Sequence, residues 1–181
     1  MSTSTLATPD TVAPALRRLY FARFGFAIVW AGLLLTTASQ LGPVSIALLV
    51  LYPLFDVAAA VVDVRSSRAT TGLYVNIALS GLAAAGLAVA SASGIPAVLR
   101  VWGIWAVVAG LTQLAVGLSR RKLGGQWAMI LSGGISTIAG TSFFLQAAQP
   151  GASLVNLAGY ATLGGVFFLV SAIRLGRVTA G

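Results

Sequence analysis

Side chains able to carry acid–base or metal chemistry are scarce in this sequence, and two of them share a helical face. The side-chain carboxylates are Asp10, Asp56 and Asp63. Asp63 follows Asp56 at i+7, so on a helix the two point nearly the same way. Asp56 sits about 12 residues into an apolar segment of about 21. A lone carboxylate at that depth in lipid costs at least ~2.5–3.5 kcal/mol, which demands an interior position with a partner or a proton. Two readings follow. Asp56 is a candidate proton relay leading inward past Asp63, or a buried polar group hydrogen-bonded to Gln113, Asn76, Tyr160 or a serine. Pro53, three residues before Asp56, frees the carbonyl of Leu49 and adds local polarity.

Most other chemistry is excluded by what is missing. Cysteine, histidine and glutamate are absent, which removes thiol nucleophiles, Ser-His arrangements, zinc sites and histidine-ligated haem. No phosphate-binding or dinucleotide signature occurs; Gly124 and Gly125 lack the lysine and hydroxyl residue that a phosphate loop needs. The expectation is no enzyme, no catalytic residue, no metal and no cofactor. The formal charge of +8 comes from ten Arg and one Lys. These residues lie between apolar stretches, a pattern of membrane orientation rather than nucleic-acid binding.

The elements that must position these groups are membrane helices. Of 181 residues, 58% are hydrophobic and only 8% charged, against roughly a quarter charged in a soluble domain. After a Ser/Thr/Pro-rich segment, 1–16, read as a flexible tail, six apolar stretches span 19–39, 44–64, 72–92, 97–118, 126–147 and 154–173. Each approaches the ~20 residues needed to cross a bilayer as a helix. A cleaved signal peptide is the rival for the first stretch, but it is too long, carries Arg23 inside its start and lacks a small-residue cleavage site.

Ten of the eleven basic residues fall on one side if every stretch crosses once: Arg17, Arg18 and Arg23; Arg65 and Arg68; Arg120, Arg121 and Lys122; Arg174 and Arg177. The positive-inside rule then puts both termini in the cytoplasm. Arg65, Arg68, Arg120, Arg121, Lys122 and Arg174 are assigned to topology and to anionic lipid headgroups at that face. Arg100, on the other side, snorkels to a headgroup. Trp102, Trp105, Trp127 and Tyr74 are expected as interfacial anchors, and Trp30 as packing.

The chain also matches itself at an offset of about 54 residues. Gly32 maps to Gly86 and Gly140; Asp56 maps to Gly110 and Gly164; Gly42, Pro96 and Pro150 align at three turns. The expected fold is an all-α integral membrane protein. One membrane domain, 17–177, would comprise three parallel helical hairpins, 17–70, 71–124 and 125–177, with approximate threefold symmetry. Gly32, Gly81, Gly86, Gly133, Gly140 and Gly164 are expected at close helix contacts, where small residues let backbones approach.

The third hairpin resembles the DUF308, or HdeD-like, family of small bacterial membrane proteins. The resemblance rests on Arg121, Trp127, Gly133, Gly140, Pro150, Gly159, Tyr160, Gly164 and Arg174, and extends more weakly over 17–122. It implies a multi-pass protein of the bacterial inner membrane with a stress or acid-resistance role, structural or regulatory within the bilayer. Two alternatives stand beside it. One is a small transporter or channel for protons or small solutes centred on Asp56. The other is a membrane subunit that binds itself or another membrane protein through its Gly-rich helices.

Overall fold

The computed structural model describes residues 9–66, 71–119 and 127–178. Six helices follow one another: α1 (Pro9–Thr37), α2 (Pro43–Ser66), α3 (Thr71–Ala90), α4 (Ile95–Ser119), α5 (Trp127–Gln146) and α6 (Val155–Val178). All six are long and apolar enough to cross a membrane, as expected of a multi-pass membrane protein. Where no water can reach the backbone, the helix pairs its own amides and carbonyls, which is why Val-, Ile- and Thr-rich stretches become helices here.

The sequence predicts a tail over 1–16, whereas α1 begins at Pro9. Proline suits a first helical turn, so the helix gains residues ahead of its apolar span. Residues 1–8 lie outside the described residues, as do Arg68, Arg120, Arg121 and Lys122.

Three short connections stop the helices at one end, hereafter the turn end. Between α1 and α2, the Ser45 hydroxyl accepts from the Gly42 amide at 2.8 Å and donates to the Gln40 carbonyl at 3.1 Å. Between α3 and α4, a 3-10 turn over Ser91–Ser93 leads into Gly94 at φ 88°. Between α5 and α6 the chain reverses through Gly151 at φ 76°. Both glycines occupy the left-handed region that an L side chain resists. The opposite, termini end carries Arg17, Arg18, Arg65 and Arg174, all exposed.

The helices form a closed ring in chain order, with α6 packed back on α1. The extensive contacts are α4 with α5, α1 with α6 and α2 with α3. Partners joined through the turn end touch less, and α5 with α6 least. The α4–α5 contact is a glycine seam. A Cβ on Gly103 would lie 2.6 Å from the Gly140 carbonyl, and one on Gly110 2.7 Å from that of Gly133. Seven residues along α4 thus match seven back along α5, and Gly117 continues the row against Ile130.

The core lies in the turn half. Leu34, Leu49, Leu87, Leu99, Leu154 and Leu157 are fully buried there, one or more from each helix except α5, which adds Phe143. Beneath them sits an aromatic plug. Trp30 and Trp102 stack at 5.5 Å, Tyr52 stands edge-on to Trp30 at 4.6 Å, and Trp105 meets Trp102 edge-on at 5.3 Å. Trp30 also donates to the Leu48 carbonyl at 2.6 Å. Trp102 and Trp105 therefore belong to the interior, not to an interfacial belt: Trp102 is 0% exposed. Hydropathy places a tryptophan by depth alone, and the ring of helices here turns these two inward. Trp127 and Tyr74 do lie on the outer surface, at 79% and 57% exposure.

Candidate functional site: a polar cavity in the termini half

Below the aromatic plug the ring is hollow. A cavity of about 590 Å³ runs through the termini half, with all six helices contributing to its wall. That volume lies within the range of small-molecule pockets.

Asp56 forms the most polar part of that wall and is fully engaged. Its Oδ1 pairs with Arg23 Nη2 of α1. Its Oδ2 accepts from Asn76 Nδ2 at 2.7 Å and from Ser80 Oγ at 2.8 Å, both on α3. Asn76 and Ser80 are one turn apart, so α3 offers both donors from a single face. The Arg23 guanidinium lies over the Phe168 ring of α6 at 4.6 Å, a cation–π contact. The cluster joins four helices, and its two charged side chains are 13% and 20% exposed.

Arg23 changes role on this evidence. Grouped by sequence with the orienting charges of the N-terminal flank, it is instead an interior residue. It stands 14 positions before Thr37, where α1 ends, and Asp56 stands 13 after Pro43, where α2 begins. In an antiparallel hairpin those depths coincide, about 20 Å from the turn end at 1.5 Å per residue. Two opposite charges that neither lipid nor core would accept singly meet there.

The other sequence-chosen polar residues are assembled around the same space. Asp63, Gln113 and Tyr160 all line the cavity. Tyr160 donates to Ser136 Oγ at 2.9 Å, linking α6 to α5. Gln113 Oε1 and Trp105 Nε1 are buried without a protein partner. Orphaned polar atoms beside a polar space mark positions that water or a solute satisfies.

The glycines divide. Gly133 and Gly140 lie in the α4–α5 seam, and an added Cβ on Gly86 would stand 3.1 Å from Val101 of α4. At Gly32 and Gly81 an added Cβ would meet nothing within 4 Å, so no helix approaches closely there. Gly164 faces the cavity, with only the Tyr52 hydroxyl at 4.0 Å. The seam depends equally on Gly103, Gly110 and Gly117; the small-xxx-small pattern picks out Gly110, through Ala106, but not Gly103 or Gly117. Their signal is a seven-residue spacing repeated against Gly133 and Gly140.

Comparison with known protein families, curated proteins and solved structures gave no match.

Proposed function

We propose that this chain is a small-solute transporter or channel of the bacterial plasma membrane, built from three helical-hairpin repeats with both termini in the cytoplasm. The carrying observation is the cavity that reaches the Arg23–Asp56 pair inside the span of the helices. A purely structural carboxylate would be expected in packed surroundings, with no solute-sized space beside it.

Within this reading a solute fits better than a proton wire. Asp56 is paired with Arg23 and held by three donors in all, and the space beside it is solute-sized rather than a narrow file of polar groups. The cavity is closed by aromatic rings toward the turn end and lies toward the basic-flanked end, which, with both termini taken as cytoplasmic, supports an inward-facing reading. The repeat is supported by the wall itself. Tyr52, Ala106 and Tyr160, spaced by 54 and again by 54 residues, all line the cavity. The alternation of extensive and slight helix contacts around the ring supports it too. Placement in a bacterial inner membrane follows from the HdeD-like resemblance and the basic termini end, where anionic lipid is the expected partner.

The test is flux in proteoliposomes. Osmotic swelling in glycerol and in choline chloride, and proton flux after an imposed pH step, are compared with empty liposomes. Gly164→Leu fills the cavity while leaving the ion pair intact, and Asp56→Asn removes a charge. Flux above background for at least one probe, falling at least twofold in Gly164→Leu, supports the proposal. Background flux for all probes overturns it.

A further inference from the structure

We propose that the cavity is a binding site for a neutral, ring-bearing molecule with a hydroxyl group, admitted from the bilayer between α5 and α6; this deepens the transporter reading and rests on the same cavity. Three observations carry it. The first is the lining. Tyr20, Tyr52, Trp105, Tyr160, Phe167 and Phe168 give the wall its aromatic faces. Rings pack well on rings, offset or edge-on, as those of the plug do. A body of two linked rings fits within about 590 Å³.

The second is what the polar wall leaves unmet. The charges of Arg23 and Asp56 are turned on each other, with Asn76, Ser80 and Phe168 holding the pair, and Asp63 is engaged as well. An ion entering this space would lose its hydration without an unengaged counter-charge to replace it. The unmet groups are neutral. Gln113 Oε1 and Trp105 Nε1 are buried without a protein partner. Both side chains belong to the cavity face of α4, two turns apart with Ala109 between them. The Gln113 amide turns about a soft terminal torsion, so its oxygen can accept from a hydroxyl lodged in the cavity. The Tyr52 hydroxyl, 4.0 Å from a Cβ placed on Gly164, adds a further neutral group at the plug.

The third is access. Of the lining residues, Ala128 and Met129 on α5 and Leu163 on α6 are exposed, whereas those on α1 to α4 are half-buried or buried. The cavity therefore reaches the outer surface along the α5–α6 line, which is also the slightest helix contact in the ring. Tyr160 and Ser136 bridge that line with their 2.9 Å hydrogen bond at the plug side of the opening. An entrance flanked by leucine, methionine and alanine opens toward acyl chains, so the ligand arrives from the bilayer and must be apolar enough to partition there. The ring faces then hold its body, and the neutral polar groups select for its hydroxyl.

The experiment uses four probes that share one two-ring body and differ in its head: 4-phenylphenol, 4-methylbiphenyl, biphenyl-4-carboxylate and biphenyl-4-ylmethylammonium. Each is measured by equilibrium dialysis against the purified full chain in nanodiscs, and protein-free nanodiscs give the partition background. Saturable binding of the phenol is expected, at least threefold tighter than the hydrocarbon and tenfold tighter than either ion. Gln113→Leu should weaken phenol binding threefold or more while leaving the hydrocarbon unchanged, a split that a merely loosened bundle would not give. Gly164→Leu should abolish saturable binding of both; circular dichroism verifies the fold of each variant. Either ion binding as tightly as the phenol, equal binding of phenol and hydrocarbon, or no saturable phenol binding by the wild-type chain overturns the inference without depending on any variant. Phenol binding without flux in proteoliposomes upholds the neutral-ligand site and overturns transport. Flux of glycerol, choline or protons without phenol binding does the reverse.

Discussion

The turn half and the termini half of this bundle use the same six helices in opposite ways. In the turn half, large side chains from every helix meet on the axis, and Leu34, Leu49, Leu99, Leu154 and Leu157 are all 0% exposed. In the termini half the wall turns to Tyr, Ser, Asn, Gln and a charged pair, and the axis is empty enough for a solute. The difference shows that ring closure alone does not fill an interior. Lipid is as apolar as leucine, so helices gain nothing from burying apolar area as such; they are held by close packing and polar contacts. Side chains packed on the axis hold the turn half. In the other, polar contacts between helices join the α4–α5 glycine seam, which continues to Gly110 and Gly117, in holding the wall around an open axis.

That contrast can be broken most forcefully at the charged pair. Asp56→Leu or Arg23→Met alone leaves an unpartnered charge deep in the bundle and should cost about 3–5 kcal/mol. The double variant removes both charges and should recover most of that loss. Thermal unfolding in detergent, run as a double-mutant cycle, reads the coupling directly. Additive losses would mean that the pair contributes nothing to holding the termini half.

Packing comes next. Leu99→Ala in the turn half removes contacts on all sides and should cost about 2 kcal/mol or more. Leu163→Ala, at 42% exposure on the cavity rim, should cost less than about 1 kcal/mol by the same measurement, since the space around it already exists. Equal losses would show that the lower half is packed as firmly as the upper.

Glycine substitutions sharpen the comparison further. Gly110→Ala drives a methyl against the Gly133 carbonyl and the Thr137 amide, both 2.7 Å away, and should destabilise by about 1–3 kcal/mol as α4 and α5 separate. Gly164→Ala meets open cavity and should be neutral, or stabilising by up to about 1 kcal/mol through helix propensity. A matching loss at Gly164 would mean that α6 sits closer to α2 than Tyr52 allows.

Much of the fold was legible because hydropathy reports span length whatever the neighbours are. The stretches read as 72–92, 97–118 and 126–147 correspond to Thr71–Ala90, Ile95–Ser119 and Trp127–Gln146. Less was legible wherever the direction a side chain faces decides its role. Trp102 and Trp105 carry the same depth signal as interfacial anchors, yet rotation of α4 sends them into the plug. Asn76 and a serine were among the expected partners of Asp56, whereas Arg23 was not, because charge counting treats every basic residue near a helix start as a topology signal. Matching its depth with that of Asp56 across the first hairpin would have exposed the pair. The cavity itself had no sequence signature: Gly164, Ala109 and Ser132 are the same small residues that elsewhere make seams.

The most direct test of a hollow half beneath a sealed one uses the absence of native cysteine. Single cysteines at Ala109 and Ser132 in the cavity wall, and at Ala90 and Ala147 in the turn-half core, are exposed to a small cationic methanethiosulfonate in nanodiscs. Ala109→Cys and Ser132→Cys should react at least tenfold faster than Ala90→Cys and Ala147→Cys. Equal rates, or unreactive thiols at all four positions, would contradict the cavity and the solute path built on it.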